Sequence, residues 1–396
     1  MTTAPPPHPA PHVTLPALVR TSLYYGLVGF GGGYSVLAQL RRDLVEVRKW
    51  LDAEQFLVLA ELSKSLPGTP ATTLLALLGQ RVAGLRGGVA AAASFLLPSF
   101  VLMTACGAAY TEMRQLSGLS IFFDGMNAAM VGIVGSVTVD LGRAALRSRL
   151  SIAVAVACGA ILAARLVSEP VLAAAAVAFG VVRAAWTPSR KDGDEPPKPP
   201  PGSQRLHAAA PLVAVLGLGS FAAVAALVRV FVPIGVMTFG GGLAMIPAIE
   251  HVVVIEQHWL DAKTFADAIA LGQVTPGPVA ICATFIGYRV AGVAGAFAAT
   301  LAMFGPATAV ALAAGRSVER FRASPLVQGA LQALAPAVIG MLGAATFSLG
   351  RSVGGSLLDV VLAAVAFLLL VLRPVSPLWV LLAGGVVRLG ASHFLR

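Results

Sequence analysis

Long apolar stretches separated by short polar loops run along almost the whole chain. Runs of about 20 apolar residues recur, and each is long enough to cross the hydrocarbon core of a bilayer as a helix. In the first half they cover roughly 88–111, 119–142, 150–167 and 171–186. This pattern predicts an all-α polytopic membrane protein.

Composition and charge agree with this interpretation. The chain is 57% hydrophobic and 12% charged, and its mean hydropathy is +0.83. A soluble domain carries about 25% charged residues. The net charge of +10 is spread over short loops between apolar runs, which is typical of membrane orientation. We therefore expect a lipid bilayer as a partner and no nucleic acid.

The chain repeats itself. The motif FGGG begins at Phe30 and again at Phe239, 209 positions later. The same offset aligns two WLD motifs and two PG motifs, and after one deletion an offset of 208 aligns two RVAG motifs. Several matches in one order indicate an internal repeat. We predict a disordered tail over 1–14, membrane repeats over 15–186 and 207–396, and a solvated proline-rich linker over 187–206. Whether the apolar segment 208–223 forms a separate crossing is left open.

Each repeat carries two breaks in its helices. The first is the glycine run inside a long first helix, where each glycine destabilises the helix by roughly 1 kcal/mol relative to alanine. The second is a hairpin interrupted by proline and glycine. The residues of this second break are Pro67, Gly68, Pro70, Pro276 and Pro278. The arms on either side are about 14 residues, or roughly 21 Å, which is short of a core about 30 Å thick. We expect a short re-entrant hairpin.

Matched loops carry opposite charge. The loop RRDLVEVRK at Arg41 is basic, whereas its counterpart EHVVVIEQHWLDAK at Glu250 is acidic. The loop TEMRQLSG at Thr111 is poor in charge, whereas its counterpart RSVERFR at Arg316 is basic. Opposite charge in matched loops predicts two inverted-topology repeats, as in many secondary transporters. The basic face of the first repeat should be cytoplasmic, with the N-terminus outside.

The breaks suggest an anion site. A discontinuous helix exposes unpaired N–H groups at a new helix start, and the helix dipole there favours anions. The alternative is that the glycines only allow close helix packing. Lys64 is the best candidate for the charge partner of the anion, and Glu61 either pairs with Lys64 or takes up a proton during coupling. Among the acidic residues of the hairpins, Glu61 is the only one considered for coupling. The expected substrate-binding residues are Lys64, Thr69, Thr72, Gly31, Gly32, Gly33, Gly240, Gly241, Gly242, Gln273, Thr275 and Gly277.

The sequence lacks the motifs of common enzymes and of nucleotide-binding proteins. The chain has no HExxH and no GxSxG, and GFGGGYS lacks the Lys-Ser/Thr of a phosphate-binding loop. The three cysteines stand singly in apolar surroundings. We expect no enzyme activity, no cofactor and no metal. A channel remains open as an alternative, because inverted repeats with half-helices also form pores.

The motifs together resemble the chromate ion transporter family, in its two-domain long-chain form. The resemblance covers nearly the whole chain and rests on TFGGG at Thr238 and QVTPGPVAICATFIGYRVAG at Gln273. It rests equally on FGGG, KWLDAEQF, LPGTP and GQRVAG in the first half. It implies antiparallel halves and a multi-pass protein of the bacterial inner (cytoplasmic) membrane. It also implies chromate export that confers resistance, with sulfate as a mimic or competitor.

Two departures from the family pattern fall at the expected anion site. The family usually has FGGP followed closely by a histidine, where this chain reads FGGGYSVL, and its PGP is here PGTP with an inserted Thr69. The expected partner is therefore chromate or a sulfate-like oxyanion such as molybdate. Export driven by membrane potential or proton exchange is the expected activity. Import of sulfate, an anion channel and a homodimer are left open.

Overall fold

The computed structural model shows a helical membrane protein. The structure describes residues 13–30, 32–164, 167, 169–186, 218–236, 238, 245–315, 325–353, 356–373 and 375–394. These residues form fourteen α-helices and no strand, which confirms the predicted fold class. The predicted linker and residues 1–12 of the predicted tail lie outside the described residues.

The two repeats contain matching series of helices. The first comprises α1 (Leu15–Val28), α2 (Gly32–Arg41), α3 (Ala53–Ser65), α4 (Pro70–Gln115), α5 (Ser117–Ala145), α6 (Arg149–Ala163) and α7 (Glu169–Trp186). The second comprises α8 (Leu218–Val236), α9 (Ile246–Glu250), α10 (Ala262–Val274), α11 (Cys282–Gly315), α12 (Pro325–Val353), α13 (Leu357–Leu372) and α14 (Pro377–Phe394). A six-residue π-helix comes after α2 over Arg42–Val47, and another comes after α9 over His251–Glu256, at the offset of the sequence repeat.

The first helix of the first repeat is interrupted as predicted. Helix α1 ends at Val28 and α2 begins at Gly32. In the second repeat α8 ends at Val236, and the next described helix begins at Ile246. The described part of segment 208–223 begins at Leu218 and forms the start of α8. Residues 208–217 lie outside the described part of the chain.

Helix α4 doubles back close to its start. Ala83 and Gly84 have non-helical dihedrals, with a φ of +62° at Gly84, and Ala291 and Gly292 in α11 repeat this geometry. A Cβ on Gly79 would collide with the carbonyl of Gly87, although residues eight apart in a straight helix are about 12 Å apart. The stretch 70–83 is therefore a separate arm, antiparallel to the remainder of α4. With α3 it forms the short hairpin that the sequence predicts.

Aspartates at matching positions begin both hairpins. Asp52 Oδ1 accepts from the Gln55 N–H at 2.7 Å, and Asp261 Oδ1 accepts from the Thr264 N–H at 2.8 Å. Such N-caps contribute about 1 kcal/mol each. Partial burial acts to raise the pKa of Asp261, but hydrogen bonds from Thr264 to its carboxylate outweigh this and hold that pKa below its ordinary value.

Among the described residues, four helical stretches are long and apolar enough to cross a membrane. They are Pro70–Gln115, Gly118–Arg143, Val279–Gly315 and Gln332–Arg351. Since α4 reverses at residue 84, its crossing part is 84–115. Large apolar side chains such as Val89 and Val101 are exposed on α4, as expected for a surface that faces lipid.

Helices α4 and α11 pack against each other in opposite directions. Gln80, early in α4, donates through Nε2 to the carbonyl oxygen of Leu312, late in α11, at 2.7 Å. Gly107, late in α4, lies against the ring of Tyr288, early in α11. The two repeats are therefore antiparallel, which confirms the inverted topology.

The last helices of each repeat pack on the other repeat. Helices α6 and α7 contact α12, and helices α13 and α14 contact α5. Small residues allow a close approach, since a Cβ on Gly180 would meet the carbonyl of Gly329 and a Cβ on Gly125 would meet that of Gly384. This exchange of helices ties the two repeats into one body.

Candidate functional site

The tip of each hairpin bonds to the first-helix break of the other repeat. The Gly68 N–H donates to the carbonyl oxygen of Thr238 at 2.7 Å, and the Gly277 N–H donates to that of Gly29 at 2.9 Å. An offset of 209 relates both donors and both acceptors. The φ angles of Gly68 and Gly277 are +106° and +108°, which L side chains rarely adopt. We call this meeting point the crossing.

A helix of the opposite repeat closes each tip from the side. The Ser99 hydroxyl on α4 donates to the carbonyl oxygen of Pro276 at 2.6 Å. Gly68 lies against Ala307 on α11, where a Cβ would be 3.0 Å from that of the alanine. Ser99 and Ala307 match at an offset of 208, and each comes directly after a proline inside its helix. Each tip is therefore held by two elements of the opposite repeat, its first-helix break and one long helix.

The first tip presents hydroxyls at a helix start. Thr69 is the N-cap of α4 and Pro70 is its first residue, yet no side chain caps this end. The buried hydroxyls of Thr69 and Thr72 lie 2.8 Å apart, and the Thr73 hydroxyl reaches the carbonyl oxygen of Pro67 at 3.5 Å. A helix start with hydroxyls and unpaired N–H groups suits an anion.

The second tip is more apolar. Thr275 is buried and donates to the carbonyl oxygen of Leu271 at 2.7 Å, with Met103 Sδ at 3.3 Å. Gln273 is buried, with its Nε2 3.9 Å from Met130 Sδ. Pro278 precedes the 3-10 turn Val279–Ile281 that leads into α11.

The glycine runs are only partly described. Gly32 and Gly33 form the first turn of α2, so this run does coincide with a new helix start. Gly31 and the predicted binding residues Gly240, Gly241 and Gly242 lie outside the described residues.

Lys64 occupies a different place from the tip residues. It lies in the last turn of α3, on the exposed face that also carries Glu61. It lines a pocket of about 550 Å³ together with Arg41 at the end of α2 and Glu54 at the start of α3. The other lining residues that the structure describes are apolar, and Thr69 is not among them. The predicted site thus divides into a buried crossing and a basic pocket beside α3.

Sequence reasoning overlooked one acidic residue of the hairpins. Asp267 lies in the middle of α10 and has an exposed fraction of 0%. Its carboxylate contacts Tyr110, Arg114 and Asn127 on α4 and α5. Glu61 stays the predicted coupling residue, and Asp267 is a second acidic residue of the hairpins to consider for that role. The signal was present, because Asp267 is the one charge in the apolar stretch FADAIALGQV.

A resident metal has no evident set of ligands in the part of the chain that the structure describes. Those residues contain no group of three or more His, Cys, Asp or Glu side chains able to hold a metal ion. The buried cysteines Cys158 and Cys282 stand apart from each other in the chain as free thiols.

Comparison with known proteins identifies the family to which this chain belongs. The chromate transporter family matches residues 16–181 and 225–389, which are the two repeats. A chromate transport protein of Cupriavidus metallidurans is 32% identical over 352 residues, covering 87% of this chain and 84% of that protein. A probable chromate transport protein of Synechococcus elongatus is 29% identical, covering 87% and 86%. A chromate transport protein of Pseudomonas aeruginosa is 29% identical, covering 86% and 82%. No solved structure matches. With both repeats matched in their order, the chain belongs to the chromate transporter family.

Proposed function

We propose that this protein exports chromate across the bacterial cytoplasmic membrane and so confers chromate resistance. Family membership supports chromate as the substrate. The inverted repeats support a secondary transporter, since this build places a substrate site where the two halves meet.

The geometry of the crossing is the main observation that supports this proposal. Two discontinuities of the backbone meet there in matched pairs, through Gly68 with Thr238 and Gly277 with Gly29. Irregular backbone at membrane depth is tolerated where it is buried in protein or lines a cavity. We infer that the oxyanion binds at this crossing. The proposed ligands in the described residues are Thr69, Thr72, Gly32, Gly33, Gln273, Thr275 and Gly277.

The basic pocket is the proposed approach to this site. Among the lining residues that the structure describes, Arg41 and Lys64 are positive and Glu54 is negative. Its volume of about 550 Å³ lies in the range of small-ligand sites, which is roughly 300–1,000 Å³. An excess of positive charge in a concave surface concentrates anions and steers them inward. Lys64 then acts as the charge partner of the entering anion.

Electrostatics supports the proposed outward direction of transport. A dianion that leaves a cell with a negative interior moves down the field. At about 2.3 kcal/mol per charge per 100 mV, two charges give roughly 4.6 kcal/mol, a gradient of over a thousandfold. Uptake would have to overcome the same energy with co-transported cations. Export needs no such partner, although exchange with protons would add to it.

Sulfate or another tetrahedral oxyanion is the second candidate substrate, and Thr69 is the residue that favours it. Thr69 is inserted into the PGP motif, and its hydroxyl lies at the helix start inside the first tip. An added hydroxyl changes the hydrogen bonds that the site offers to the oxygens of the anion. Transport of sulfate in the inward direction, or flux through a channel, would use the same crossing.

The test uses purified protein in liposomes. Efflux of a panel of oxyanions would be measured for the wild type, Lys64→Gln, Lys64→Arg and the control Arg86→Gln, which removes an exposed positive charge from the same repeat. Losing a charge-assisted contact is worth about 1.5–3 kcal/mol, so Lys64→Gln should slow chromate efflux roughly ten- to a hundredfold. Lys64→Arg should be milder and Arg86→Gln near the wild type.

Three results would contradict this proposal. Sulfate efflux with no chromate efflux would assign the second substrate. Flux without exchange of labelled chromate against unlabelled chromate would indicate a channel. Normal efflux by Lys64→Gln would contradict the proposed role of Lys64 as charge partner and leave the crossing as the anion site.

A further inference from the structure

A buried carboxylate joins the second hairpin to the first repeat, and no step of the proposed function uses it. The Tyr110 hydroxyl donates to Asp267 Oδ2 at 2.6 Å, and Asn127 Nδ2 donates to Asp267 Oδ1 at 2.8 Å. Arg114 Nε lies 2.9 Å from Oδ2. An ionisable side chain at such a place is energetically expensive and points to function.

This cluster exists in one repeat only. The offset of 209 places Val58 in the first hairpin where Asp267 stands in the second. The offset of 208 places Ala335 on α12 where Asn127 stands on α5. The first hairpin thus reaches the same fold with an apolar residue at this position. The hairpin geometry therefore does not depend on the carboxylate, and its presence needs another reason.

The outer end of the cluster reaches the surface. Arg114 Nη1 donates to Ser120 Oγ at 2.8 Å and lies 3.9 Å from Asp124 Oδ1. Lys263 Nζ lies 3.0 Å from the same oxygen, and the side chains of Lys263 and Asp124 are 54% and 33% exposed. Arg114 therefore contacts the buried carboxylate on one side and a water-accessible ion pair on the other.

The inner end leads toward the crossing. Asn127 Oδ1 is buried and accepts no hydrogen bond from the described residues. One turn further along α5, Met130 contacts Gln273 on α10, and Thr275 lies two residues later. Asp267 and Thr275 are eight residues apart, or about 12 Å along a helix. Polar contacts of α10 with α4 and α5 thus occur at the surface, at Asp267 and again beside the second tip.

We propose that Asp267 is the group that carries the coupling proton, an inference that rests on the proposed exchange of an oxyanion with protons. One proton from the water at Asp124 binds the Asp267 carboxylate, whose charge changes from −1 to 0. Arg114 and Lys263 then share Asp124 as their counter-ion, so the cluster carries one net positive charge at its water-accessible end. The second hairpin loses its ionic tie to α4 and becomes free to move. Release of the proton on the other side restores the pair. Among the described residues, the ionisable and charged groups around the carboxylate are Tyr110, Arg114, Asp124 and Lys263, with Arg289 5.5 Å from the ring of Tyr110.

The experiment measures protons moved per chromate in proteoliposomes. Chromate flows down its gradient with the membrane potential clamped at zero, at a pH where chromate is the dianion. An internal pH dye and chromate analysis then give the ratio. We expect Asp267→Asn to carry chromate without protons, whereas Asp267→Glu keeps a proton flux. The matched control is Asp359→Asn, which removes another buried carboxylate, paired with Arg388 at 3.2 Å, and should keep the wild-type ratio.

Several outcomes would overturn the inference. The first is an unchanged ratio of protons to chromate in Asp267→Asn. The second is loss of proton flux in Glu61→Gln instead of Asp267→Asn. The third is a folded Asp267→Asn protein without any chromate flux, which would assign a structural role to the contact between Asp267 and Arg114. Wild-type protein that moves chromate without protons would also overturn it and leave oxyanion transport standing. Wild-type protein that moves no chromate would contradict the proposed function itself.

Discussion

Replacing Gly277 by alanine tests whether the crossing holds the two repeats together. The glycine has a φ of +108°, donates its N–H to the carbonyl oxygen of Gly29, and leaves no room for a side chain. A Cβ there would collide with the hydroxyl of Ser99, which itself donates to the carbonyl oxygen of Pro276 at 2.6 Å. Two separate effects therefore oppose the substitution.

Their size can be worked out from the geometry. Holding an alanine at this φ costs about 1–3 kcal/mol. Displacing the Ser99 hydroxyl removes a buried hydrogen bond worth about 0.5–1.5 kcal/mol. Gly277→Ala should therefore lower the free energy of unfolding by about 1.5–4.5 kcal/mol. Gly68→Ala meets only contacts of 3.0 Å with Ala307 and Thr73, so it should lose about 1–3 kcal/mol, from strain alone.

The assay is unfolding of purified protein in mixed detergent micelles, monitored by circular dichroism. The control is Gly343→Ala on α12, where an added Cβ meets nothing within 4 Å. This control should be neutral or stabilising by about 0.5–1 kcal/mol, because alanine favours helix more than glycine does. Ser99→Ala should destabilise the wild type by about 0.5–1.5 kcal/mol and add almost nothing to Gly277→Ala, where the bond is already lost. Equal stability of Gly277→Ala and Gly343→Ala would refute the close contact at the crossing.

Three further predictions concern topology, the glycine runs and the driving force. In a background without native cysteines, a cysteine at Glu46 should be shielded from an impermeant thiol reagent in whole cells and one at Glu256 should react. Labelling of both from one side would contradict the inferred orientation. Gly32→Leu and Gly241→Leu should each abolish oxyanion transport, because a leucine favours a continuous helix. Retained transport in either variant would indicate that the glycine runs serve only close helix packing. A sensitive host that expresses the protein should accumulate less chromate, and valinomycin with potassium should weaken this effect; higher accumulation would indicate import.

The repeat and its breaks were predictable because local chemistry sets them. A glycine run cannot continue a helix at low energy, and two arms of about 14 residues are too short to span a bilayer. In the structure the glycine run coincides with the gap between α1 and α2. The short arms end where the chain reverses, at Gly84 and Gly292. Inversion was also readable, because loop charge reports the side of the membrane on which a loop lies.

The contacts between repeats were not predictable from the sequence. Nothing in the order of residues shows that Gly68 bonds to Thr238, because the partner lies 170 positions away and backbone groups carry no sequence signal. The surroundings of Lys64 were also not predictable from the sequence. Proximity in sequence to the break suggested a place in the buried tip, whereas the helical turn of α3 directs Lys64 to the pocket with Arg41.

The two hairpins share one geometry but differ in the charged residue that follows or interrupts their apolar stretch. The first bears Lys64 beside a pocket, and the second bears Asp267 inside a polar contact. These features are connected through the crossing, because α10 ends at the tip whose Gly277 bonds to Gly29, and α2 with Arg41 begins three residues after Gly29. A shift of the second hairpin must stretch that bond or carry the break in the first helix with it. In the proposed transport cycle the matched geometry would allow the repeats to exchange positions, while Lys64 would respond to the anion and Asp267 to the proton. The proposed proton-coupled export therefore depends both on the symmetry of the backbone and on the asymmetry of the side chains.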